Sequence, residues 1–198
     1  MIKFIKLKKD VPYLILKEKY DEAFSKGQKN IEAIAISSYN KGNAEVESRF
    51  VNLKFVEGDE FIFFSNYNSP KSVAFKGHDQ ISALIYWESI NAQIRIKAKV
   101  KKKSAKFNQE YFEARSIDKN ALAISSNQSK EIESFEEVIE NYYDAKNNKD
   151  LKKCPGYWGG FSFTPYYIEF WEGNKSRLNK RNVYKIKDGK WHHSIIQP

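Results

Sequence analysis

ISALIYW at Ile81–Trp87 and QIRIKAKVK at Gln93–Lys101 form the clearest strand pair in this sequence. In the second segment Ile94, Ile96, Ala98 and Val100 alternate with Gln93, Arg95, Lys97 and Lys99. That period of two turns one face of a strand to a core and the other to water. Upstream, Ile31 to Ser38 and Glu45 to Lys54 read as strands around the turn Asn40-Lys41-Gly42-Asn43, and Glu60 to Ser65 returns after Glu57-Gly58-Asp59. Two consecutive hairpins make the topology antiparallel. Downstream, Gly160 to Trp171 and a hairpin around Asp188-Gly189 complete about six or seven strands. A flat sheet of that size would leave edges open to further pairing, so the expected architecture is mainly β with flanking helices, closed as a split β-barrel.

The helical segments fall between these strands. Leu16 to Lys26 reads as a short helix, and Ser69-Pro70 as an N-cap with proline at the first position of a helix through Phe75. Ala105 to Ala114, Lys119 to Ser125 and a longer segment from Lys130 follow. In the last of these Ile132, Phe135, Ile139 and Tyr142 share one stripe, and all three segments are expected to pack against the barrel. No internal repeat or linker rich in Gly, Ser or Pro divides the chain, so one domain over residues 1–198 is expected.

Composition narrows the chemistry. The apolar runs are too short to cross a bilayer, and the start MIKFIK lacks the apolar core of a signal peptide. The lone Cys154 has no partner for a disulfide or a CxxC site, which suits a reducing cytoplasm. It reads as a partly buried thiol before a strand. His78, His192 and His193 have no metal-ligand spacing with a carboxylate or with Cys154, so no metal is expected. The net charge of +9 suits an anionic partner, yet no nucleic-acid motif accompanies the run Lys101-Lys102-Lys103. A basic nucleic-acid-binding barrel is therefore the weakest of three readings. Of 34 basic residues only Arg49, Arg95, Arg115, Arg177 and Arg181 are arginine. A lysine-rich chain keeps arginine where a planar fork must grip phosphate or stack on a ring.

Three segments acquire meaning together: RFVNLK from Arg49 to Lys54, FSNYNSPK from Phe64 to Lys71, and the tail that runs from WGGF at Trp158 through FWEG at Phe170 to RLNKR at Arg177–Arg181. Their order and spacing resemble the pyridoxine/pyridoxamine 5′-phosphate oxidase family, from about Ile31 to Pro198, with Gln93, Tyr111, Arg115 and Gln128-Ser129 at matching intervals. The resemblance implies a flavin mononucleotide (FMN)-binding split barrel that works as a homodimer, with a flavin at each side of the subunit interface. Arg49, Lys71, Ser65 and Ser129 match positions around the FMN phosphate. Gln93 and Gln128 match amides on the flavin's polar edge, Trp171 and Arg181 match ring-side contacts, and Phe64 and Lys54 fall within the cofactor-binding segments. Lys54, Tyr111 and Arg115 correspond to the grip on a substrate phosphate, and Arg177 to the catalytic residue over the substrate ring. The implied reaction is hydride transfer from C4′ of pyridoxamine or pyridoxine 5′-phosphate to flavin N5, with oxygen reoxidising the flavin and pyridoxal 5′-phosphate as product.

The chain departs from the family pattern at Asn179, where histidine is usual, at Pro70, where an arginine usually precedes the lysine, and at Lys119, where a serine is usual. Asn179 and Lys119 both fall on the substrate side. A related split-barrel FMN oxidoreductase with another substrate, as in the phenazine-biosynthesis branch, is the second reading. Neither enzyme reading calls for nucleic acid or membrane as a partner.

Overall fold

The alternation in the central strand pair carries through to the structure, a computed structural model that describes residues 1–198. Strand β5 (Gln80–Trp87) turns Ile81, Ala83, Ile85 and Trp87 inward and pairs antiparallel with β6 (Ala92–Lys102), Ile85 opposite Ile94 and Ala83 opposite Ile96. Strands β2 (Ala33–Asn40) and β3 (Glu45–Glu57) form the first hairpin, and β4 (Glu60–Asn66) the return. The long strand β7 (Trp158–Glu172) pairs with β6 along most of its length and with β4 through its first six residues. The ring β3-β2-β5-β6-β7-β4 is therefore closed and antiparallel throughout. Closure on six strands removes the edges that an open sheet would expose.

Three further strands lie outside the ring. The second half of β7 stays paired with β6 and on its other edge pairs with β8 (Lys180–Lys187), which carries β9 (Lys190–Ile195). The three-residue β1 (Lys3–Ile5), too short for any periodicity to announce, runs parallel to β3 beside Phe55–Glu57.

The barrel interior is aromatic. Phe61 stacks on Phe163 and Phe63 on Phe161, with centroids 5.2 and 5.6 Å apart. Helix α1 (Val11–Ser25) places Tyr13, Leu16, Tyr20 and Ala23 in this core; it begins earlier than its apolar pattern suggests because Pro12 is tolerated in a first turn. Helix α2 (Pro70–Gly77) sends Phe75 onto Phe161 and Phe63. Ser69 stands at its N-cap, but the hydroxyl does not cap. It donates to Asn66 O at 2.8 Å and accepts from Lys71 Nζ, so the residue serves the turn rather than the helix.

Helices α3 (Ala105–Glu113) and α4 (Ile117–Ser125) follow β6. Asn108 fastens α3 to β7, accepting from Gly160 N at 2.8 Å and donating to Tyr67 Oη at 2.9 Å. A Cβ on Gly159 would stand 2.3 Å from both Asn108 Nδ2 and Tyr67 Oη, which explains a glycine in WGGF. Helix α5 (Phe135–Asn148) corrects one expectation: it packs on α4 and not on the barrel. Of its stripe, Phe135 is 71% and Ile139 42% exposed, and only Ala145 of the helix is buried. Asp118 of α4 holds it by accepting from Tyr142 Oη at 3.0 Å and pairing with Lys146 at 2.8 Å. Periodicity reports that a face exists but not which neighbour the helix meets.

Candidate functional site

One side of the barrel carries a cavity of about 1140 Å³ between β3, the β4–α2 turn, the ends of α3 and α4 and the start of β7. It is at the upper end of the size of small-molecule sites, roughly 1000 Å³. Ten of the fifteen residues singled out in the sequence line it. Arg49, Lys54, Phe64, Ser65 and Lys71 come from the first half of the chain. Tyr111, Arg115, Lys119, Gln128 and Ser129 come from the helical segment.

Local backbone features aim these side chains. The β3–β4 register runs Leu53 opposite Phe63 and then Phe55 opposite Ile62, leaving Lys54 as the extra residue of a β-bulge. Bulges re-aim a side chain that regular alternation would turn away. Ser129, beyond α4, holds left-handed backbone with φ 67°. Arg115 lies past the end of α3 and not on it, its amide donating to Phe112 O at 3.2 Å, so Tyr111 and Arg115 are not a helical surface pair.

Three cations in the cavity lack a carboxylate partner: the exposed Lys119 and the more enclosed Lys71 and Arg115. Lys71 is 6% exposed, and its Nζ donates only to Ser65 Oγ at 2.8 Å and Ser69 Oγ at 3.0 Å. Burial pushes its pKa down to about 8, the Arg49 charge adds to that, and Glu47 opposes it. Arg115 rests on the Trp158 ring, 4.3 Å from the centroid, and donates from Nη2 to Lys119 O at 3.4 Å. Its Nη1 is buried without an acceptor. Charged donors withdrawn from water without a counter-charge are costly, and they define places where an anion gains most.

Arg49 and Lys54 are engaged. Arg49 donates to Glu47 at 2.6 Å and Ser38 Oγ at 2.8 Å, and Lys54 pairs with Glu32 at 3.7 Å. An aromatic column supports the wall: Tyr111 stacks on Phe64 with centroids 3.6 Å apart, and Phe64 lies nearly parallel to Trp158 at 5.3 Å. Glu47 and the Trp158 platform were not singled out as site residues. Glu47 could have been, because it is two residues from Arg49 on the same strand and therefore on the same face.

The other five residues are elsewhere. Gln93, Trp171 and Arg181 form one row across β6, β7 and β8, on the outer surface of the sheet. Arg177 and Asn179 sit in the loop between β7 and β8. Arg177 has φ 61°, a conformation that costs an L-residue roughly 1–2 kcal/mol. Asn179 Oδ1 accepts from Asn174 N at 3.0 Å, and Arg177 N donates to Asn174 O at 3.0 Å, so Asn179 fastens the loop that holds Arg177. None of these five lines the cavity of its own chain.

Fold and sequence comparisons agree on the class of molecule. The fold matches that of PhzG from Burkholderia lata 383, solved in complex with tetrahydrophenazine-1-carboxylic acid, with a TM-score of 0.89 and 22% identity over 94% of this chain and 92% of that one. It also matches a pyridoxamine 5′-phosphate oxidase-related, FMN-binding protein from Nostoc punctiforme, with a TM-score of 0.79 and 11% identity over 96% and 99% of the two chains. The architecture is thus the split barrel. Residues 158–198 match the family model described as the pyridoxine 5′-phosphate oxidase C-terminal dimerisation region. The pyridoxine/pyridoxamine 5′-phosphate oxidase of Azotobacter vinelandii is 31% identical over 94% of this chain and 88% of its own. That of Herminiimonas arsenicoxydans is 30% identical over 90% and 85%. The chain belongs to the pyridoxine/pyridoxamine 5′-phosphate oxidase family. No helix is long and apolar enough to cross a membrane.

Proposed function

We propose that this chain binds FMN and oxidises pyridoxamine or pyridoxine 5′-phosphate to pyridoxal 5′-phosphate, with oxygen as electron acceptor. The observation that carries the reading is the buried Lys71 and the half-buried Arg115, whose Nη1 is enclosed, facing one cavity without a carboxylate for either. A phosphorylated cofactor and a phosphorylated substrate would bring one anion to each.

The residues present suit FMN. Lys71, with hydroxyls from Ser65 and Ser129, offers charged and neutral donors to a phosphate dianion, and Arg49 can exchange Glu47 for it. Pro70 supplies no donor, which places more of the task on Lys71. When bound, FMN supplies the hydride acceptor and the route of electrons to oxygen. Arg115, Tyr111, Lys54 and Lys119 hold the substrate phosphate, and that remote grip sets the reacting carbon in place. Gln93 and Gln128 hydrogen-bond the polar edge of the flavin, Trp171 and Arg181 contact its ring, and Arg177 steadies charge that develops on the substrate ring.

The working unit in this reading is a homodimer of single-domain subunits in a reducing cytoplasm, which suits the free Cys154. Five of the proposed site residues lie away from the cavity in one chain and within or beside the matched dimerisation region, so a second copy would bring them to it. Phe50, 76% exposed on β3 beside Arg49, offers apolar surface for that contact.

The test is aerobic turnover by the purified yellow protein. Pyridoxal 5′-phosphate and peroxide are expected in equal amounts from pyridoxamine 5′-phosphate. Turnover of tetrahydrophenazine-1-carboxylic acid with no product from either phosphorylated vitamer would move the assignment to another substrate of the same fold.

A further inference from the structure

Arg95 is the one arginine of the five that the proposed function leaves unused, and its partner is informative. It stands on β6 opposite Glu169 of β7. Ile168 and Phe170 on either side face the core, so alternation turns Glu169 to the outer surface. Glu169 is nevertheless only 1% exposed, because Arg95, Tyr167 and Arg181 cover it. Oε1 accepts from Arg181 Nε at 2.9 Å and Nη2 at 2.7 Å. Oε2 accepts from Tyr167 Oη at 2.7 Å and Arg95 Nη1 at 3.1 Å. Burial pushes its carboxyl upward, but these donors outweigh that and hold it below the ordinary carboxylate range.

Such a cluster is a poor device for stability, since well-packed apolar residues commonly do as well or better than a buried ion pair. What it fixes is direction. Both the Nε and the Nη2 side of Arg181 are bound to Glu169, and Nη1 donates to Gln197 O at 3.0 Å. A guanidinium has five N–H groups, so one hydrogen on each terminal nitrogen remains unspent. Arg181 pairs across the sheet with Trp171, which pairs with Gln93. Two arginines around one carboxylate also leave a net positive charge beside that row.

We propose that Glu169, braced by Arg95 and Tyr167, is a positioning residue that holds Arg181 in the orientation in which it contacts the flavin. The proposal rests on the reading that the Gln93–Trp171–Arg181 row meets FMN. Titration of the flavin-free full-length chain with FMN separates the two. E169Q and R181L are each expected to weaken binding about tenfold or more, the loss of a charge-assisted hydrogen bond. The double variant is expected to bind no worse than R181L, because Glu169 acts only through Arg181. Visible circular dichroism of the bound flavin should change in E169Q, a signature that a merely structural loss would leave alone. The half-exposed R95Q, which leaves the core intact, should show the same dichroic change in smaller degree and bind FMN about two- to threefold more weakly, one weakened brace instead of the whole anchor.

Additive losses in the double variant would overturn the proposal. So would wild-type affinity and dichroism in E169Q or, should E169Q not fold, in R95Q, while R181L is weakened. R181L binding as wild type would instead overturn the placement of Arg181 at the cofactor, and the proposal with it.

Discussion

Lys71→Met is expected to weaken FMN binding about thirtyfold, on the order of 2 kcal/mol, the range for losing a charge-assisted hydrogen bond. Lys71 is buried, donates to two serine hydroxyls and has no carboxylate partner. Pro70 beside it supplies no donor, and the nearby Arg49 is engaged by Glu47. The same substitution should raise the melting temperature of the flavin-free protein, because it removes a cation that folding desolvates without pairing. Opposite signs for binding and stability distinguish a ligand site from a structural one.

The pH dependence follows from the same group. Burial lowers the Lys71 pKa from 10.5 to about 8 in the ligand-free fold. Between those values the unfolded chain keeps a proton that the folded chain has lost, so raising the pH through this window stabilises the flavin-free protein. Phosphate requires the charged amine. FMN affinity should therefore fall as pH rises above about 8, by up to about tenfold per unit, and the fall should vanish in Lys71→Met. Fluorescence titration at several pH values checks both. Unchanged affinity in the variant would remove Lys71 from the phosphate site.

Pyridoxamine without its phosphate is expected to be oxidised with a kcat/KM lower by about a thousandfold, on the order of 4 kcal/mol, because the site's buried donors would be left unpaired. Arg115 carries the largest part. Its Nη1 has no acceptor, and its guanidinium is held against Trp158 and cannot turn freely to water. Arg115→Leu should raise KM for the phosphorylated substrate far more than it lowers kcat, and should shrink the discrimination against the unphosphorylated one. Steady-state kinetics of both substrates with both proteins make the comparison. Equal kcat/KM for the two substrates in the wild type would show that this cluster does not read phosphate.

Strand alternation made the barrel legible. Ile81–Trp87 and Gln93–Lys101 alternate so regularly that their pairing, their inward faces and the closed architecture followed. The β1 strand was not legible, because three residues carry no period and its parallel contact with β3 is non-local. The α5 stripe was legible as a face, but its partner α4 was not, because the contact between the two helices is a tertiary feature that no periodicity records. Within the site, spacing identified the ten cavity residues through resemblance, while their local causes came from the fold. The bulge at Lys54 and the carboxylate that holds Arg181 depend on the register of neighbouring strands, and the Trp158 platform under Arg115 on residues far apart in sequence. Glu169 lies between core residues on β7, where alternation predicts an exposed side chain. Its burial arises only when Arg95 and Arg181 arrive from neighbouring strands.

The most direct test of the central claim is the visible spectrum of the purified protein before and after anaerobic addition of pyridoxamine 5′-phosphate. The flavin band is expected to bleach on addition and to return when oxygen is admitted, with pyridoxal 5′-phosphate formed in proportion. A flavin band that stays oxidised with saturating pyridoxamine 5′-phosphate, and with pyridoxine 5′-phosphate in its place, would contradict it and leave an FMN-binding split barrel whose substrate is not a B6 vitamer.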